Sequence, residues 1–314
     1  VLEDTSAVRQ RVVRYAAALG ELVIVVTGRG ESKRITQGPL IIVYPGGSSF
    51  VGNFIRMTRV ARAESRGAHV VTAQDPYFIG LVGRIAAWGR APLQIQIHGA
   101  LFSRAFMFES ARHFIESVLA LVVLRAASCV RSVSEQSAQM VRRVSRAPVS
   151  VLPVSVETES FLDTYPCPKE YGDHPRILAV SRLSHEKNIA RIIRALALVP
   201  SDAHLYIAGE GPMRRSLELS VQGLGLGDRV HFLGWVAPQA YMAHATVVVH
   251  ASLYEGYCMT LVEAVLSGVP VVTTAVGVAE ELPKAVTTVV AHSDTALAKG
   301  LTEVLRHPPS AEAC

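Results

Sequence analysis

The chain has 314 residues, half of them hydrophobic, with 31 Lys+Arg against 26 Asp+Glu and a net charge of +5. That length exceeds most single cores and predicts two domains of about 150 residues each. No apolar run reaches the roughly 20 residues of a membrane span; the longest, Ser117 to Leu124, is bounded by Glu116 and Arg125 and reads as a buried helix.

The charge is uneven. Residues 1–168 carry 19 Lys+Arg and 12 Asp+Glu, a net of +7, whereas residues 169–314 carry 12 and 14, a net of −2. A basic first half suits phosphates or an anionic membrane surface, but solvated helix faces would look the same. No nucleic-acid motif accompanies the excess, so no nucleic-acid partner is expected. Cys129, Cys167, Cys258 and Cys314 form no C-x-x-C pair, and the eleven histidines add no zinc spacing. Reduced thiols, no metal and a cytoplasmic protein are the expectation. The opening VLEDTSAVRQR lacks an initiator Met and lacks the basic-then-apolar pattern of a signal peptide.

In chain order, Leu22–Thr27, Ile41–Tyr44, His69–Thr72 and Leu93–His98 are strand candidates, with helices at Asn53–Arg66 and Phe78–Trp88. Ser128–Val133 and Val149–Leu152 follow as strands. Thr164–Pro175, with three prolines and a glycine, reads as a linker. The alternation then restarts: strand Arg176–Val180, a helix carrying Ile189, Ile192, Ile193, Leu196 and Val199 on one face, strand Ala203–Ala208, and helix Met213–Leu224. Val230–Leu233, Thr246–His250 and Pro270–Thr273 complete a second parallel set. Strands separated by helices predict an α/β chain of two doubly wound, Rossmann-like domains, 1–165 and 166–314, with ligands beyond the carboxyl ends of the strands.

Three stretches carry chemistry. Ala179–Asn188 places Arg182 and Lys187 between a strand and a helix N-terminus. Two cations beside free N–H groups suit an anion, although two exposed cations with Ser184 as a cap would fit equally. Gly209-Glu-Gly-Pro-Met213 has Arg214 where a dinucleotide fingerprint needs its third glycine, so a tight turn is expected. EGYCMTLVEAVLSGVPVV places Glu255 in a loop after a strand and Glu263 in the first turn of a helix from about Thr260 to Leu266. Thr260 and Glu263 also fit a capping box. Capping accounts for Glu263 but leaves Glu255 to another role, such as bonding sugar hydroxyls.

Together these pieces resemble retaining glycosyltransferases of family 4. E-G-Y-C-M-T-L-V-E is similar to the E-x7-E signature, and S-R-L-S-H-E-K-N to the R-x4-K diphosphate segment. I-A-G-E-G-P, H-F-L-G-W-V and S-G-V-P-V-V follow in the matching order; the likeness is close over residues 176–282 and looser over 69–162. The resemblance implies the GT-B architecture, two Rossmann-like domains facing across a cleft, the first on the acceptor side. It implies transfer of a hexose-type sugar from a UDP-, GDP- or ADP-linked donor to a saccharide or lipid-linked acceptor. Retention, no metal and no cofactor beyond the nucleotide-sugar co-substrate come with it. By the same resemblance Arg182 and Lys187 would hold the diphosphate, Glu255 the sugar and Glu263 the ribose. Backbone N–H groups of Met259, Thr260 and Leu261 would meet the phosphates, Gly234 and Val236 would lie near the base, and His98 near the sugar.

An anionic leaving group needs cations more than a proton donor, which suits Arg182 and Lys187; a glycosidase would need two carboxylates flanking the scissile bond. Against the family pattern, an opening strand and closing helices are expected to be missing. A sugar-nucleotide-binding scaffold, an epimerase or phosphorylase of the same fold, and a transferase at the inner face of the cell membrane stand as alternatives.

Overall fold

The computed structural model describes residues 7–28, 30–156, 158–200 and 202–308. The chain forms α1 (Ala7–Leu19), β1 (Leu22–Val25), β2 (Lys33–Gln37), β3 (Leu40–Tyr44), α2 (Phe50–Glu64), β4 (Val71–Ala73), α3 (Phe78–Ala87) and β5 (Leu93–Ile97). It continues through α4 (Arg104–Met107), α5 (Ala111–Leu124), β6 (Cys129–Ser132), α6 (Glu135–Arg142), β7 (Val149–Val151) and α7 (Glu159–Leu162). Then come β8 (Arg176–Val180), a 3-10 turn at His185–Lys187, α8 (Ile189–Leu198), β9 (His204–Ala208), α9 (Arg214–Gly223) and β10 (Val230–Gly234). The last elements are α10 (Pro238–Ala243), β11 (Val247–His250), α11 (Met259–Leu266), β12 (Val271–Thr274), β13 (Thr287–Val290) and α12 (Asp294–Arg306).

These elements gather into two compact units. The first runs to Ile97 and takes in Phe114–Arg131 and Val141–Ser150; the second holds His98–His113, Ser132–Met140 and the chain from Val151 on.

In the first unit β1 and β3 pair in parallel, and β2 adds to β3 in the antiparallel sense. Ala16 of α1 is buried with Leu40 and Ile42 of β3. A four-stranded sheet has the order β4-β5-β6-β7. The antiparallel β2 departs from the expected purely parallel set. Its sequence, KRITQ, leaves four of five side chains exposed, so it carries no apolar run by which a strand could be recognised.

The second unit is built on six strands in the order β10-β9-β8-β11-β12-β13, parallel in every pair. Strands covered on both faces must be apolar on both, and Val247–His250 and Val271–Thr274 are buried throughout. One face packs Ile177, Leu205, Ile207 and Val249 against Ile192 and Ile193 of α8, Leu217 of α9 and Leu301 of α12. The other packs Leu178, Tyr206 and Val248 against Tyr241 of α10 and Leu261 of α11. The proline-rich stretch before β8 is irregular, as expected, yet it is not a free tether: Tyr171 is buried edge-to-face on Tyr206 and Tyr241.

Candidate functional site

At the carboxyl edge of this sheet the loops after β8, β9 and β11 meet. Gly209, just past β9, has φ +137°, and a Cβ there would stand 1.9 Å from the Ser181 carbonyl oxygen. Only glycine lets the Gly209–Pro212 turn press so closely on the loop that holds Arg182. The amide of Leu183 donates to the Glu210 carbonyl at 2.9 Å, fixing the two loops together. The Gly-x-Gly segment is the tight turn expected of it.

Arg182 lies at the surface and its guanidinium bonds Glu186 at 3.0 Å. Ser184, expected as a cap, makes no capping bond; its hydroxyl donates to the same Glu186 oxygen at 2.5 Å. Burial tends to raise the Glu186 carboxyl, but Ser184, its own backbone N–H and Arg182 together hold it low. The 3-10 turn then ends at Asn188, whose φ of +51° breaks it from α8.

The turn carries Lys187 inward to Glu255, where Nζ meets Oε1 at 2.6 Å. That oxygen also accepts from the Ser252 hydroxyl at 2.8 Å and contacts His250 Nε2 at 3.0 Å. Three donors thus converge on one carboxylate oxygen, and among the described residues none reaches Oε2. Burial would raise the Glu255 carboxyl, but the hydrogen bond and charge of His250, then Lys187, outweigh it and hold it down to about 2. Burial likewise opposes charge on His250, yet Cys258, with Sγ 3.3 Å from Nε2, and Glu255 outweigh it and raise the imidazole to about 10. Hydrogen bonds to the charged form explain both directions.

The helix of the second carboxylate begins one residue earlier than expected. Cys258, at φ +74° and ψ +76°, is the N-cap of α11 and makes no side-chain capping bond. Thr260 therefore lies inside the helix, where its hydroxyl donates to the Val180 carbonyl at 3.3 Å. The expected Thr260–Glu263 capping box does not form, and Glu263 falls in the second turn. There it is half-buried, and burial alone raises its carboxyl. No described residue bonds its side chain. Leu261 also departs from expectation: its amide donates to the Cys258 carbonyl at 3.2 Å, so of the three expected N–H groups only those of Met259 and Thr260 are without an acceptor among the described residues.

Gly256 brings another expected residue close. A Cβ on Gly256 would stand 1.8 Å from the His98 carbonyl oxygen. The His98 side chain, at the end of β5, is exposed. Its segment is held by Glu109, which accepts from Tyr254 and lies 3.0 Å from His113 Nδ1 and 3.4 Å from His185 Nδ1. Gly234 ends β10 with its carbonyl accepting from the Gly209 amide at 2.7 Å, and Val236 is half-buried beyond the exposed Trp235. All the expected residues therefore lie in the second unit. His250, Ser252 and Cys258 were not among them. The first stands at the carboxyl end of an apolar strand, which is the one sequence signal that marks it.

The fold and these loops place the chain among known proteins. Residues 167–314 match the family model described as glycosyl transferases group 1, and residues 6–155 match that of a glycosyl transferase 4-like domain. The chain is similar to Anabaena HepE solved in complex with UDP, with a TM-score of 0.70 and 22% identity over 88% of this chain and 79% of that one. The fold is α/β, of the GT-B kind, with Rossmann-like units.

The chain belongs to the GT-B glycosyltransferases of family 4. Among curated relatives it is 32% identical to a human phosphatidylinositol N-acetylglucosaminyltransferase subunit over 184 residues, 56% of this chain and 37% of that one. It is 35% identical to alpha-monoglucosyldiacylglycerol synthase of Streptococcus pneumoniae over 102 residues, 31% of this chain and 23% of that one. The matched stretches thus span less than two fifths of these relatives' own length.

Proposed function

We propose that the chain transfers a hexose-type sugar from a nucleotide-sugar to an acceptor hydroxyl, with retention of configuration and without a metal. The observation that carries this reading is the Glu255 carboxylate. It is held ionised by Lys187, His250 and Ser252 on one oxygen, and no described residue bonds its other oxygen, which suits donors from outside the chain. Sugar hydroxyls are such donors. Glu263, half-buried and bonded through its side chain by no described residue, suits ribose hydroxyls in the same way.

The departing nucleoside diphosphate needs positive charge where its own charge develops. Arg182, Lys187 and the open N–H groups of Met259 and Thr260 are the chain's candidates, an anion at a helix N-terminus being favoured by dipole and N–H groups alike. With cations in these positions the leaving group needs no metal. Gly234 and Val236 flank the base, and His98 the sugar. HepE, whose fold this chain shares, has been solved with UDP-glucose, which supports a nucleotide-sugar donor here.

The first unit supplies the acceptor side in this reading. The human relative's name carries the lipid phosphatidylinositol, and the pneumococcal relative is named for making a glycolipid. Phe114, Ile115, Val118 and Val122 of α5 are exposed in a basic half of the chain. That stripe suits a lipid-linked acceptor presented at the inner face of a membrane. No helix among the described residues is long and apolar enough to cross one.

The test is a thermal-shift screen of UDP-, GDP- and ADP-glucose, followed by transfer from the donor that stabilises most. The account expects one nucleotide family to raise the melting temperature and its sugar to reach vesicle-borne lipid. No shift with any of the three contradicts the donor site. Transfer to soluble saccharides alone removes the lipid acceptor.

A further inference from the structure

At the opposite, amino edge of the six-stranded sheet, three histidines converge that play no part in the site above. His174 lies two residues before β8, His204 opens β9 and His231 is the second residue of β10. In the parallel register Arg176 stands beside His204 and His231 beside Tyr206. Since side chains alternate across a strand, His204 and His231 leave the same face. One ligand nitrogen from each of the three can be chosen so that all lie within 4.8 Å of one another.

The rings are nearly parallel. His174 stacks on His204 with centroids 3.3 Å apart, and His204 Nδ1 stands 2.9 Å from His231 Nε2. Two imidazole nitrogens at that distance share one proton, so at least one lone pair is already aimed at the shared space. Burial, and after it the neighbouring imidazoles, push His204 and His231 below the ordinary histidine range. Neutral imidazole is the form that binds metal.

We propose that His174, His204 and His231 form a three-imidazole site for a divalent cation of the zinc class. Imidazole ligands suit zinc, cobalt, nickel and copper. A tetrahedral zinc with nitrogens at about 2.0–2.1 Å spaces them about 3.3 Å apart, with water or another small ligand in the fourth position. His204 Nδ1 and His231 Nε2 now stand 2.9 Å apart, and one nitrogen of each ring lies within 4.8 Å of the other two. Small rotations of half-buried rings close the difference. The cation takes the place of the proton between His204 and His231, and that proton moves to the other nitrogen of the ring that donated it.

His174 Nε2 is 2.8 Å from the hydroxyl of fully buried Tyr206, which in turn accepts from the Gly172 amide. With Nε2–H donating to Tyr206, Nδ1 of His174 is the ligand and Tyr206 orients the ring, as outer partners of metal-bound histidines do. The bound cation ties the segment entering β8 to the starts of β9 and β10. Its role is to clamp the sheet edge opposite the donor site, so it stands apart from the metal-free transfer proposed above.

A second cluster, His250, Glu255 and Cys258, also has ligand atoms within 4.8 Å. Lys187 already stands 2.6 Å from its carboxylate, and an ammonium there opposes a second cation.

The test uses the full chain stripped with a chelator and titrated with Co2+ or Zn2+. One equivalent of Co2+ should give the visible absorption of tetrahedral coordination, without a thiolate-to-cobalt band. Zn2+ at about 100 times its Kd should raise the melting temperature by about 5 °C or more, reversed by chelator. His204→Asn and His231→Asn should each abolish both signals, and Cys258→Ser should leave them intact. His174→Asn, outside any strand, serves if either strand variant fails to fold. No stoichiometric binding, binding unchanged in the histidine variants, or loss of binding in Cys258→Ser overturns the proposal.

Discussion

The two edges of one sheet solve opposite electrostatic problems. At the carboxyl edge, charge is concentrated and stabilised: Glu255 is held down to about 2 and His250 up to about 10 by each other and their neighbours. At the amino edge, three imidazoles are crowded together and two of them are pushed toward neutrality. The difference lies in the partners. His250 faces a carboxylate and a thiol, whereas His204 and His231 face each other and His174. Arg229 opposes and Asp202 favours charge on His204, and the Tyr206 ring is stacked on His231. Burial acts in the same direction on all three histidines, so the partner, not the depth, decides which one carries charge.

The sharpest way to break this contrast is to neutralise its centre. Glu255→Gln leaves Lys187 and His250 as cations without a carboxylate, a loss of about 3–5 kcal/mol of stability from breaking a buried pair. Transfer should fall on the order of 100-fold or more, while nucleotide binding is largely kept. Chemical denaturation and turnover measured on the same variant check both. Unchanged turnover would remove Glu255 from the sugar contact.

A smaller effect separates the edges by pH. His204 and His231 titrate lower in the fold than in the unfolded chain, so the unfolded state takes up protons first. Their contribution is intact above about 6.5 and is lost as the pH falls below it. Glu255 works in the same direction but only below about 4.5, the window between its ordinary value and about 2. Between about pH 6.5 and 5 the Glu255 contribution is constant, and the change that removing one amino-edge imidazole makes in the melting-temperature slope reports that edge. His231→Asn should flatten that limb, and an unaltered slope would contradict the neutral cluster.

Much of the fold was legible because a parallel sheet covered on both faces needs continuous apolar runs. β8, β9, β11 and β12 carry such runs and lie within a residue or two of where pattern places them. β2 and β13 were not recognised: KRITQ is mostly exposed, and TTVV is short and only partly buried. The candidate site was legible where one residue type has one chemical use, as at Arg182, Lys187 and Glu255. It was not legible where geometry makes the role. The left-handed Cys258 starts α11 one residue early, and this alone undoes the capping box that Thr260 and Glu263 spell out. The histidine cluster could not be seen from spacing at all. Residues 174, 204 and 231 lie about thirty apart, and only the register of β9 and β10 with the segment entering β8 brings them together.

The central claim is that the carboxyl edge binds a nucleoside diphosphate through its cations. Calorimetric titration of UDP and of uridine, on the native chain and on Arg182→Ala with Lys187→Ala, tests it most directly, with GDP or ADP and their nucleosides substituted if the screen selects those. The account predicts that the double variant weakens the diphosphate by on the order of 10- to 100-fold, as expected for lost charge-assisted hydrogen bonds, and the nucleoside by no more than about twofold. Equal weakening of both ligands would contradict it.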